Sequence, residues 1–85
     1  MHLEIITPDK TVFSGRVKSV TVPGTKGPFT ILINHAPIIS TLETGELVLR
    51  TTTGDDMLFI INGGMIEAKQ NKIMVLSEKV STPEL

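Results

Sequence analysis

Eighty-five residues make one small domain, in which folding hides only about 60–65% of the surface that the unfolded chain exposes; nearly every apolar side chain is needed for the core, and little room is left for a deep pocket. A formal net charge of −1, from eight basic and nine acidic residues, supplies no field for steering onto nucleic acid and no polybasic patch for anionic lipid. The lack of cysteine removes disulfides, zinc ribbons and thiol chemistry together, and is compatible with a cytoplasmic protein.

Residues 2–6 (HLEII) alternate polar and apolar up to Ile6, the pattern of a half-buried strand. No basic segment followed by an apolar run opens the chain, so no secretory signal is expected and the chain reads as mature. Thr7-Pro8-Asp9-Lys10 reads as a turn. Thr11-Val12-Phe13 restarts an extended segment, Ser14-Gly15 is expected to interrupt it, and residues 16–22 resume with Val17, Val20 and Val22 apolar. The odd spacing between Val17 and Val20 would send half the apolar groups to solvent in a regular strand, so a bulge or bend near Ser19 is expected.

Residues 23–40, PGTKGPFTILINHAPIIS, read as strand, kink and short strand. Gly24, Gly27 and Asn34 are available for positive φ, and Pro37 lacks a ladder donor, so the segment can turn sharply twice while holding its bulky groups on an interior face. Residues 41–45 form a turn, Leu47, Leu49 and Thr51 share a strand face, and Thr53-Gly54-Asp55-Asp56 closes a hairpin. The apolar run 57–61 reads as buried on both faces. After the turn Asn62-Gly63-Gly64, residues 65–69 and 72–76 flank the two-residue connection Gln70-Asn71, where a left-handed Asn is chemically reasonable. The longest uncharged run, 27–42, is shorter than the ~20 residues of a spanning helix and holds two prolines, so no crossing of a membrane is expected. The expectation is an all-β chain, a flattened β-sandwich of about eight to ten short strands over residues 1–78, with a polar tail at 79–85.

The usual chemical constellations are missing. His2 and His35 are far apart with no paired-ligand spacing, so no metal is expected; no serine lies in a nucleophile elbow, so no catalytic residue is named. Gly24-Thr25-Lys26-Gly27 lacks the ending of a phosphate loop and reads as a turn. Asp55 and Asp56 read as solvated turn acids, and Glu4 and Glu67 as outward strand residues. His35 has two readings: a structural group bonded to a backbone carbonyl, or a contact on a partner surface.

Three blocks, LEIITPDKTVFSG, SVTVPGTKGPFTILINHAPIIS and FIINGGMIEAKQNKIMVLSE, closely resemble the N-terminal β-sandwich of the epsilon subunit of F-type ATP synthases, in order and over residues 3–78. The most specific signature is G-x-F-x-I-L followed by H-A-P, from Gly27 to Pro37. The resemblance implies a non-catalytic rotor subunit of the central stalk, without cofactor, peripheral on the cytoplasmic face of a bacterial inner membrane, which helps couple proton flow to ATP synthesis. It implies a c-ring contact at Gly27, Pro28, Phe29, His35 and Ala36, and a gamma-subunit contact at Thr7 and Ser40. Thr30 and Asn34 stand where many relatives carry glycine, and Pro28 where many carry a polar or acidic residue. Relatives usually continue into an inhibitory helical hairpin, which these residues are expected to lack. Two other classes stay open on the residues alone: a free-standing β-sandwich adaptor for a peptide or carbohydrate, and a small enzyme using His35 beside carboxylates.

Overall fold

The structure is a computed structural model and describes residues 1–83. Nine strands carry it: β1 (His2–Ile6), β2 (Thr11–Val22), β3 (Phe29–Leu32), β4 (Ile38–Leu42), β5 (Gly45–Thr51), β6 (Asp56–Ile61), β7 (Gly64–Lys69), β8 (Lys72–Leu76) and β9 (Val80–Ser81). The described residues contain no helix, and the all-β sandwich expected from the sequence is the architecture observed. The first sheet runs β4-β7-β8-β1-β2; the second runs β3-β2-β5-β6-β9. All these pairings are antiparallel except β1 with β8, which lie parallel.

The 12-residue β2 belongs to both sheets. A straight strand of that length would run about 36 Å. The principal-axis extents of the Cα trace are 30 × 27 × 24 Å, and β2 passes from one sheet to the other through an irregularity in its register. Its partners show where: Val17 stands opposite Thr51 and Ser19 opposite Arg50, which leaves Lys18 as the extra, bulged residue. The bulge lets Val17, Val20 and Val22 all reach 0% exposure despite their odd spacing, one position before the place expected for it.

Leu3, Ile5, Ile66 and Val75 from the first sheet meet Val20, Leu47, Leu49 and Ile61 from the second in one core. Phe13 on the first half of β2 packs edge-on against Phe59 of β6, with ring centroids 6.1 Å apart at 64°. Such a pair adds about 0.5–1.5 kcal/mol beyond the area it buries. Ser14-Gly15 does not interrupt β2. Gly15 pairs with Leu3, and a Cβ there would stand 3.3 Å from the Phe13 ring, so the missing side chain makes room for that ring on the shared face.

Two other expectations change. The run 57–61 is fully buried on one face: Phe59 and Ile61 point inward and are buried, while Leu58 and Ile60 at the alternate, outward positions are only half-buried. Its outer face has no third layer to cover it. Within the expected polar tail 79–85, Val80 and Ser81 pair with Ile61 and Ile60 as β9, and Val80 packs against the core. Residues 84 and 85 of that tail lie outside the described residues. Ser77 anchors the approach to β9; its N–H donates to the Ile6 carbonyl at 3.0 Å and its Oγ to the Lys79 carbonyl at 3.1 Å. The Gln70-Asn71 connection has φ of 52° and 60°, the left-handed two-residue turn that fits a twisted hairpin.

Gly64 begins β7 at φ 130°, and a Cβ there would fall 2.0 Å from the Leu76 carbonyl oxygen. Backbone cannot yield as a side-chain tip can. Gly64→Ala is expected to lower stability by at least about 1–3 kcal/mol, read as a lower urea midpoint at unchanged slope.

Candidate interaction surface

The turn between β2 and β3 is held by close packing rather than by free backbone. Gly24 is buried, and a Cβ on it would lie 2.7 Å from both the Phe29 ring and the Gly27 carbonyl oxygen. Its smallness admits the ring, whereas the positive φ expected there belongs to Gly27, at 124°. Gly27 N–H donates to the Gly24 carbonyl at 2.9 Å. The turn is fastened to β4: Thr25 N–H donates to the Thr41 carbonyl at 3.1 Å, the two threonine hydroxyls lie 2.9 Å apart, and Glu43 N–H donates to the Pro23 carbonyl at 2.7 Å. Between turn and strand runs an open groove of about 400 Å³ lined by Gly27, Phe29, Ile39 and Ser40, among others.

Next to it lies a larger apolar groove. On the outer face of the first sheet, strand register sets Thr41, Met65, Leu76 and Ile6 side by side across β4, β7, β8 and β1. With Thr7 and Pro8 they line an open groove of about 550 Å³. Met65 is 40% exposed, Leu76 and Met74 are 39%, and Ile39 is 68%. Apolar groups this contiguous on a sheet face mark a contact surface more often than chance exposure does. Thr7 is fixed at the rim: its N–H donates to the Lys10 carbonyl at 2.9 Å, and its Oγ accepts from Lys10 N–H at 3.3 Å.

His35 and Ala36 stand elsewhere, at the far end of β3, separated from Phe29 by about 10 Å of strand. Asn34, at φ 65°, shapes that loop and is clasped to the β7–β8 turn: Asn34 N–H donates to Asn71 Oδ1 at 2.7 Å, and Asn71 Nδ2 donates back to Asn34 Oδ1 at 2.9 Å. His35 Nδ1 lies 2.7 Å from the Ala36 carbonyl, which can only accept, so this nitrogen carries a proton. The ring is bonded to a backbone carbonyl, as the structural reading of His35 expects, and is exposed to solvent. Of the bulky residues 29–33 expected on an interior face, Ile31 alone is fully buried; Phe29 is half-buried, and Leu32 and Ile33 are 58% and 52% exposed.

The structure thus brings Gly27, Phe29 and Ser40 together in one groove with exposed Pro28 beside it, puts Thr7 in the neighbouring groove, and sets His35 and Ala36 apart. Thr41 lines both grooves. Sequence reasoning passed over Met65, Met74 and Leu76. Their signal was the apolar residue at outward positions of two strands whose inward positions were already apolar. It also passed over the ion pair between Arg50 and Asp56, 2.9 Å apart across the β5–β6 hairpin. Among the described residues no group of three His, Cys, Asp or Glu side chains could hold a metal ion.

Comparison with known proteins gives a match of residues 1–83 to the family described as ATP synthase, Delta/Epsilon chain, beta-sandwich domain. The ATP synthase epsilon chain of Desulfatibacillum aliphaticivorans is 43% identical over 76 residues, covering 89% of this chain and 54% of that protein. That of Chlorobaculum tepidum is 40% identical over 79 residues, covering 93% of this chain and 90% of that one. The chain therefore spans about half of the first relative and most of the second. In fold it is similar to a chain of the Euglena gracilis mitochondrial ATP synthase OSCP/F1/c-ring structure, with a TM-score of 0.90 at 17% identity over 94% of this chain and 51% of that chain.

Two outcomes follow from the polar contacts. The hydrogen bond from Arg50 holds the Asp56 carboxyl below the usual carboxylate range. Its stabilising effect is present above the unfolded pKa and is lost as pH falls through the folded one. An NMR titration of the Asp56 carboxyl is expected to show a higher midpoint in Arg50→Ala. A double-mutant cycle on Asn34→Ala and Asn71→Ala should give a coupling of about 0.5–1.5 kcal/mol by chemical denaturation.

Proposed function

This chain belongs to the ATP synthase delta/epsilon β-sandwich family, and we propose that it works as a non-catalytic piece of the rotor's central stalk, joining the gamma subunit to the polar loops of the c-ring. It corresponds to the N-terminal domain of an epsilon subunit. The observation that carries the reading is the family match along residues 1–83. A stalk part of this kind serves by outline and stiffness. A core closed by two sheets that share a strand, with short turns, supplies both. The complex, and not this chain by itself, makes the association with the membrane; the proposed side is the cytoplasmic face of a bacterial inner membrane, where the rotor couples proton flow to ATP synthesis.

Gamma binding is assigned to the apolar groove and its neighbour, with Thr7 and Ser40 at their rims and Met65, Leu76 and Ile39 as the apolar body. The c-ring contact is assigned to Gly27, Pro28 and Phe29 at one end of β3 and to His35 and Ala36 at the other, with exposed Leu32 and Ile33 near the second. A standard interface takes about 800 Å² from each partner. The described surface of 5363 Å² has room for two such contacts on different faces.

The reading is tested by co-purification. Wild-type chain expressed with the other synthase subunits should come out with gamma and the c-ring. Replacing Leu76 and Met65 together by Arg is expected to weaken gamma association at least ten-fold, about 1.4 kcal/mol, while the isolated chain keeps its unfolding midpoint. Undiminished gamma in the variant complex would refute the groove assignment, and wild-type chain recovered without any synthase subunit would refute the rotor role.

A further inference from the structure

We propose that the outer face of the first sheet also carries a docking row for an extended acidic segment of a partner polypeptide, at the end away from the apolar groove. Lys69 faces Lys72 across β7 and β8, Lys72 faces His2 across β8 and β1, and His2 faces Arg16 across β1 and β2. Their chain neighbours Ala68, Ile73, Leu3 and Val17 are buried, so these four side chains point outward, and all four residues are exposed. At about 4.8 Å between strands the row is roughly 14 Å long.

The cations of this row have no ion-pair partner among the described residues. Two lysines directly opposite each other on an antiparallel pair repel. Among the described residues the ion pair found is Arg50 with Asp56, on the other sheet, so no carboxylate is in direct contact with the cations of the row. The His2 ring is instead near the Ser14 hydroxyl, Nε2 to Oγ 3.3 Å. Three of the chain's eight Lys and Arg residues thus sit in one line on a molecule whose net charge is −1. An anion laid along the line removes the repulsion.

The shape of the site selects the kind of anion. The next row on the same face holds Glu67, Met74 and Glu4, side by side across β7, β8 and β1. A broad anionic surface such as a bilayer, pressed on this face, would meet those carboxylates as well as the cations. A single extended chain crossing the strands touches the cationic row and leaves the acidic one in water. Glu4 and Glu67 also divide the row from the apolar groove, so the two surfaces can be occupied separately.

The test titrates the isotope-labelled 85-residue chain with octaglutamate and follows backbone amide shifts. Saturable changes centred on His2, Arg16, Lys69 and Lys72 are expected, with affinity falling as salt rises. The double variant Lys69→Gln with Lys72→Gln should bind at least ten-fold more weakly at an unchanged unfolding midpoint, and Lys26→Glu should bind as wild type does. If the double variant does not fold, Lys72→Gln alone is expected to weaken binding about three-fold, roughly 0.6 kcal/mol. Shifts centred elsewhere, no saturable shift, or undiminished binding by the Gln variants would overturn the proposal. So would sedimentation with phosphatidylglycerol vesicles that the Gln variants abolish, since that outcome assigns the row to lipid.

Discussion

The bend of β2 at Lys18 is the joint on which the two sheets hang. Up to Arg16 the strand pairs with β1 in the first sheet; from Val17 it pairs with β5, and from Ser19 also with β3, in the second. One added residue re-phases the strand so that Val17, Val20 and Val22 all face the core. Without that residue, either Val17 or the later valines would face water, and the second sheet would have no registered strand to build on. The candidate surfaces depend on the same joint, because the turn that carries Gly27 and Phe29 leaves β2 only after the bend and is tied back onto β4.

Much of this was legible in the chain itself, where a local rule had a single solution. The phase slip between Val17 and Val20 announced a bulge, and Gln70-Asn71 announced a left-handed hairpin turn. The misreadings share a cause: a strand pattern tells which residues are apolar but not how many layers cover them. Residues 57–61 looked buried on both faces because five apolar residues stand in a row, yet a two-layer molecule covers one face of each sheet. Ser14-Gly15 looked like a break because glycine and serine favour turns, and tertiary packing of the Phe13 ring overrode that preference. Val80, isolated among polar residues, gave too little pattern to show that it caps the edge of β6.

The interaction surface was legible in part for the same reason. The resemblance supplied Gly27, Pro28, Phe29, His35, Ala36, Thr7 and Ser40, but linear order could not say that β3 would hold His35 away from Phe29 or that β4 would bring Ser40 beside it. Nor could it show that Met65, Met74 and Leu76 form one outward stripe, since that depends on cross-strand register. Gly24 is the instructive case: its type was noticed, but its reason is the approach of the Phe29 ring and not backbone freedom.

The parallel pairing of β1 with β8 has a bearing on how the chain comes into being. Residues 2–6 have one of their two hydrogen-bonding neighbours in residues 72–76, almost the full length of the polypeptide away. Closing so long a loop costs entropy before any ladder bond is gained, which slows folding. While a ribosome is still making the middle of the chain, β1 has an unclaimed edge and the first sheet lacks its central strand. Nascent chains at that stage are therefore the form most exposed to wrong pairing, and the whole sheet can lock only when residue 76 has left the exit tunnel.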